Sequence, residues 1–156
     1  MFGPSITAAY ATRALVCLAR HQGWVRGAKV IAACSGAPRP YLAKVLHAMA
    51  REGLVETKRG HRGGYRLARP AEEITLFEIL STVDGPDVLE RCLLGLGKCS
   101  PKRSCPFHPM WAEQRVRVME RYRELTLREL ACFKKMDTER DYRFGWHGGE
   151  RAEGGT

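Results

Sequence analysis

The chain has 156 residues, 44% hydrophobic, 28% charged and 8% aromatic. That is enough for one ordinary core, or for a small domain with an appendage, and too little for a large multidomain enzyme. No apolar run approaches the roughly 18–20 residues that cross a bilayer, and residues 14–19, which follow Arg13, lack the cationic n-region of a secretory signal. A soluble cytoplasmic protein is expected. The net charge of +9 is unevenly spread: residues 26–69 carry ten cations against Glu52 and Glu56, while residues 70–105 carry six anions against four cations. A localised basic stretch is the electrostatic footprint of a polyanion partner, because each phosphate neutralised releases condensed counterions. A solvated basic face kept for solubility is the plainer alternative.

In chain order, residues 5–22 read as a first helix, with Ile6, Tyr10, Ala14, Cys17 and Leu18 at helical spacing, Ser5 as cap and Gly23 as stop. Residues 28–34 form a second, short helix closed by Ser35 and Gly36. Pro40 then opens a third helix, running to about Glu52, with Leu42, Val45, Leu46 and Met49 as its apolar stripe. Short helix, tight turn and second helix make the outline of a helix-turn-helix. Residues 54–57 and 65–68 alternate as strands around a basic, glycine-rich tip (residues 58–64). A basic hairpin directly after a helix-turn-helix reads as a wing, whose tip can enter a DNA minor groove.

After Pro70, residues 74–83 read as a fourth helix, broken by Gly85 and Pro86. Residues 110 to about 136 read as one long helix, with Trp111, Val118, Tyr122, Leu125 and Cys132 along one seam. Self-association through that seam is expected, and packing on its own domain is the competing reading. The chain thus divides into a winged helix-turn-helix DNA-binding domain (1–70), a connecting helix (71–89), a cysteine-rich loop (90–109), a dimerisation helix (110–136) and a tail (137–156) expected to be disordered. The fold class is mainly α with a small β-wing.

Of the six cysteines, none is expected in a structural disulfide in a cytoplasmic chain. Cys17, Cys34 and Cys132 stand singly among apolar neighbours and read as small buried hydrophobes. The others read Cys92-x6-Cys99-x5-Cys105-x2-His108, among glycines, prolines, Lys98, Lys102 and Arg103. Local cations stabilise thiolates, and three thiolates with an imidazole suit tetrahedral zinc or an iron–sulfur cluster. The lack of a Cys-x2-Cys knuckle tilts the balance toward a cluster; a metal-free thiol switch is the remaining option.

Several motifs together resemble the iron–sulfur cluster regulator family of winged-helix bacterial transcription factors, closer to its IscR-like branch. These are Tyr41-Leu42 with Lys44-Val45-Leu46, then Gly53-Leu54-Val55, then the run from Arg59 through Gly63-Gly64-Tyr65-Arg66-Leu67-Ala68. Ile74-Thr75-Leu76 and the Cys–Cys–Cys-Pro-x-His-x-x-Trp loop follow. The resemblance implies a homodimer joined by the long helix, reading a pseudo-palindromic operator in double-stranded DNA; the helical spacing makes Trp111, Val118, Tyr122 and Leu125 the expected dimer contacts. It implies an iron–sulfur cluster on Cys92, Cys99, Cys105 and His108, [2Fe–2S] favoured and [4Fe–4S] possible, whose state alters DNA affinity in response to redox, iron or nitric oxide. The branch that takes a carboxylate from the partner's first helix fits poorly, since Glu52 is the first acidic residue in the chain. Ala43 replaces a sequence-selective glutamate of the IscR-like branch, so the operator sequence does not transfer.

In the third helix, Arg39, Tyr41, Lys44 and His47 are candidate major-groove contacts, and Arg51 is a backbone contact. Lys58, Arg59, His61 and Arg62 are the wing contacts. A winged-helix repressor whose Cys/His loop binds zinc or acts as a thiol switch is the alternative within the fold. An enzyme using Cys105 and His108 as nucleophile and base is not expected, because no phosphate-binding or deaminase motif accompanies them.

Overall fold

Helix α1 (Ile6–Ala19) is apolar nearly all round, with Ala8, Ala11, Ala14, Leu15, Val16, Cys17, Leu18 and Ala19 buried, and such a helix must be enclosed by others. The computed structural model, which describes residues 4–94, 97–102 and 105–133, encloses it. Helices α2 (Ala28–Ser35), α3 (Arg39–Arg51), α4 (Leu76–Asp84) and α6 (Leu127–Cys132) all pack against α1. Its start is fixed twice. The Ser5 hydroxyl accepts from the Ala8 N–H at 3.1 Å, and the Ser5 N–H donates to the Asp84 carboxylate at 2.8 Å, tying α1 to the end of α4.

The turn between α2 and α3 is set by Gly36, whose left-handed φ of 63° ends α2. The buried Ser35 hydroxyl donates to the Ile31 carbonyl at 2.7 Å and accepts from the Ala37 N–H at 3.3 Å, so no polar group of the turn is stranded in the core. Leu42, Val45, Leu46 and Met49 bury one face of α3 and leave the opposite face to solvent. Strands β1 (Val55–Lys58) and β2 (Gly64–Leu67) pair antiparallel, Val55 opposite Leu67 and Lys58 opposite Gly64. Arg26 pairs with Tyr65 on the other edge of β2 through two backbone bonds of 2.8 and 2.9 Å. Gly64 permits this approach, because a Cβ there would collide with the Arg26 carbonyl. The class is therefore mainly α with a two-stranded wing, as expected. A 3-10 turn at Ala71–Glu73, not among the expected elements, leads into α4.

Three expectations need correction. The single helix over residues 110–136 is two helices: α5 (His108–Glu124) stops, and α6 starts afresh after Thr126. Thr126 caps α6 and exchanges bonds with Glu129, and the flanking backbone pairs with the start of α4, Leu127 N–H donating to the Ile74 carbonyl at 2.7 Å. This turns α6 back so that Leu127 is fully buried in the core, and Arg20, which caps the end of α1, donates to the Ala131 and Phe133 carbonyls at the end of α6, each at 3.2 Å. Residues 134–136 and the tail at 137–156 lie outside the described residues.

Second, the seam of Trp111, Val118 and Tyr122, with Met119, packs on Ala8, Leu80, Val88 and Leu89 of the same chain. Leu125 lies just past the end of α5, half-buried, its carbonyl bonded to Leu76. The apolar residues that α5 leaves exposed are Met110 and Val116. Third, Cys17 and Cys34 are not free: a disulfide joins them, because packing of α1 on α2 brings their Cα atoms to 6.2 Å. Cys34 is exposed, as is Cys132, so neither is the buried hydrophobe expected. No helix among the described residues is long and apolar enough to cross a membrane.

Candidate nucleic-acid interface and metal centre

The outer face of α3 presents Arg39, Tyr41, Lys44, His47 and Arg51, and all five are exposed. Burial of Leu42, Val45 and Leu46 turns Tyr41, Lys44, His47 and Arg51 outward, while Arg39 is exposed as the first residue of the helix. At the wing, Lys58, Arg59, His61 and Arg62 are exposed as well, the last with a left-handed φ of 64° that carries the chain round the tip. Among the described residues none of these cations has an ion pair. The neighbouring Arg66 is neutralised by Glu56 at 2.7 Å. The basic excess is thus concentrated on one helix and one hairpin tip, where it is available to phosphates.

The cysteine loop is held by backbone bonds between its own ends. Cys92 N–H donates to the Gly97 carbonyl at 2.6 Å, Cys99 N–H to Glu90 at 2.8 Å, and His108 N–H to Cys105 at 3.0 Å. The Trp111 indole N–H donates to the Arg91 carbonyl at 3.0 Å, pinning the loop beside Cys92 onto α5. Lys98 meets Glu90 at 2.6 Å, and hydrogen bonding to that carboxylate holds its ammonium above its ordinary pKa. Partial burial likewise pushes the Tyr122 phenol up.

Of the four expected ligands, Cys99 and His108 meet, Sγ to Nδ1 at 3.1 Å. Cys92 is buried and Cys105 half-buried. Among the described residues no group of three or more His, Cys, Asp or Glu side chains is gathered as a metal site. The donor set nevertheless fits a soft metal or cluster: three thiols on one hydrogen-bonded loop and an imidazole at the first residue of α5, two of the four already in contact.

Some contributors had weak sequence signals. Tyr10 lies 6.1 Å from Tyr41 ring to ring and takes the Arg13 guanidinium at 4.9 Å over its face. With Cys17 these form an i, i+3, i+7 stripe on α1, a spacing readable as one face but not as a face turned toward the helix-turn-helix. The role of Trp111 as a loop anchor, rather than a seam residue alone, needed the fold.

Residues 5–132 match the Rrf2 family, described as iron-dependent transcriptional regulators. An HTH-type transcriptional regulator of Aquifex aeolicus is 33% identical over 128 residues, covering 81% of this chain and 89% of its own. Among solved structures, CymR, the global cysteine regulator of B. subtilis, superposes with a TM-score of 0.71 at 25% identity, over 84% of this chain and 97% of its own. IscR of T. potens gives 0.64 at 25% identity, over 81% and 83%.

Proposed function

We propose, from the premise that this chain belongs to the Rrf2 family of transcriptional regulators, that it is an IscR-like homodimer whose grip on a pseudo-palindromic operator is set by an iron–sulfur cluster. The family is one of transcriptional regulators, not enzymes. The observation that carries the cluster reading is the Cys99–His108 contact at 3.1 Å, on a loop that runs directly into α5. Cys92, Cys99, Cys105 and His108 are the proposed holders. When bound, the cluster supplies iron that responds to oxidants, nitric oxide and iron supply.

The chain's own residues do the rest. Arg39, Tyr41, Lys44 and His47 read the major groove, Arg51 meets the backbone, and Lys58, Arg59, His61 and Arg62 fix the wing on the duplex. Trp111 and Arg91 tie the loop to α5, and α5 packs on α4, which packs on α1 and α3 of the reading head. The partner copy docks along α5, whose exposed apolar residues are Met110 and Val116, at 49% and 54%. Two reading heads must fit half-sites about 34 Å apart, one helical turn, or a multiple of it. A loosened loop beside α5 therefore changes affinity through head spacing.

A second reading is a Cys/His loop that takes zinc or acts as a metal-free thiol switch, supported by the structural likeness to CymR, a cysteine regulator. Anaerobic purification separates the two. A red-brown protein with iron and acid-labile sulfide, lost in Cys99→Ala while the dimer stays folded, supports the cluster. A colourless protein with stoichiometric zinc, or a coloured Cys99→Ala protein, overturns it.

A further inference from the structure

We propose that Cys17 and Cys34 are a second redox site of this chain, a reversible disulfide that staples the first helix of the helix-turn-helix to α1 and stiffens the reading head. The site is separate from the cysteine loop. The two residues are bonded, with Cα atoms 6.2 Å apart, inside the usual span of roughly 4.4–6.8 Å. Their exposures differ: Cys17 is 3% exposed, whereas Cys34 lies open on α2. Oxidant and reductant can therefore reach one sulfur while the other waits behind it.

The placement gives the bond leverage. Cys34 precedes Ser35, the last residue of α2, and Gly36, the left-handed turn, so the staple sits at the joint leading into α3. On α1, Tyr10, Arg13 and Cys17 form one stripe facing that joint. Tyr10 packs near Tyr41 of α3, and the Arg13 guanidinium approaches Gly36, 3.9 Å from where a Cβ would stand. The first two contacts are noncovalent and yielding; the third becomes covalent on oxidation. In the reducing compartment where a DNA regulator works, such a bond is a transient state rather than a permanent strut. The transience of the bond and its effect on DNA rest on the proposed function; the bond itself does not.

Hydrogen peroxide is the oxidant class. The exposed Cys34 thiolate attacks a peroxide oxygen, the O–O bond breaks, one water leaves and a sulfenic acid remains. The Cys17 thiol gives up its proton as its sulfur attacks the Cys34 sulfur, the S–O bond breaks and the second water leaves. Two thiols lose two electrons to one peroxide. Two equivalents of a small thiol such as glutathione return them by exchange, entering at Cys34.

The experiment treats the full-length protein with hydrogen peroxide, alkylates the remaining thiols and maps peptides by mass spectrometry. A Cys17–Cys34 cross-linked peptide, removed by glutathione, is expected. Closing the 17-residue separation should raise the thermal midpoint by on the order of 10 °C and slow amide exchange in α2 and the first turn of α3. Affinity for a random-sequence duplex at low salt should tighten on the order of fivefold. Cys34→Ser should lose all of these responses, and Cys132→Ser, at an exposed free cysteine outside both sites, should keep them. Free or overoxidised Cys17 and Cys34 after treatment would overturn the site, and a cross-link that leaves exchange in α2 and α3 unchanged would overturn the staple. Absence of DNA binding in both states would sink the proposed function and leave the staple to stand on its cross-link and exchange rates.

Discussion

Thr75 and Thr126 face each other as an antiparallel backbone pair, and each is the N-cap of its own helix with a complete capping box. Thr75 and Glu78 start α4; Thr126 and Glu129 start α6. Between them, Leu76 donates to the Leu125 carbonyl at 2.8 Å and Leu127 to that of Ile74 at 2.7 Å. Two helix starts 51 positions apart in the chain are thereby locked together, and this junction turns α6 back onto α1.

Removing the junction's caps should loosen it. Thr126→Ala is expected to cost about 1 kcal/mol, the usual worth of a threonine N-cap, read as a lower urea midpoint. Thr75→Ala should cost a similar amount. The double variant should depart from additivity, because the two caps share the Ile74–Leu127 pairing. Strict additivity would show that the two helix starts are energetically independent.

Stability should fall in acid partly through Glu78. Burial pushes its carboxyl up, but bonds from the Thr75 backbone, Arg69 and the Thr75 hydroxyl outweigh that and leave its pKa below the ordinary 4.5. A carboxyl lowered in the folded state contributes stability above its unfolded pKa and loses it as pH falls through the folded value. Glu78→Gln is therefore expected to lower stability at neutral pH and to flatten its decline below about pH 4.5. A variant curve parallel to wild type across that range would refute the assignment.

On the reading face, Lys44→Ala and Arg59→Ala should each weaken binding to duplex DNA and reduce the slope of log K against log salt by about one. Glu56→Gln frees Arg66 from its partner and should strengthen nonspecific binding at low salt. An unchanged salt slope in Arg59→Ala would remove the wing tip from the interface.

The two faces of α5 should separate dimerisation from folding. Val116→Arg is expected to shift the protein toward monomer in analytical ultracentrifugation with little change in thermal midpoint. Tyr122→Ala, from the half-buried side packed on Leu80 and Val88, should lower stability by about 1.5 kcal/mol. The opposite pattern would return the dimer contact to the Trp111–Tyr122 seam.

Much of this arrangement can be read from local sequence. Gly36 with Pro40, the stripe of Leu42, Val45, Leu46 and Met49, and the basic glycine-rich tip each act within a few residues. Their consequences, a helix-turn-helix with a wing, follow from periodicity and turn chemistry alone. Tyr41, Lys44, His47 and Arg51 are exposed because burial of one α3 face leaves its other positions no choice. The break at Leu125 was harder to see. Val118, Tyr122, Leu125 and Cys132 keep a helical spacing across it, and the Thr126–Glu129 capping box is weak evidence beside such a run.

Three features lay beyond any local pattern. Cys17 and Cys34 look like isolated core cysteines until α1 and α2 are laid together. Trp111 serves the cysteine loop because the tertiary fold brings Arg91 to its indole. The apolar seam of α5 was legible as a seam, but a periodic stripe does not say whether a second copy or the chain's own α4 covers it. Helical periodicity records which side of a segment avoids water; only the packing of distant segments decides what it meets instead.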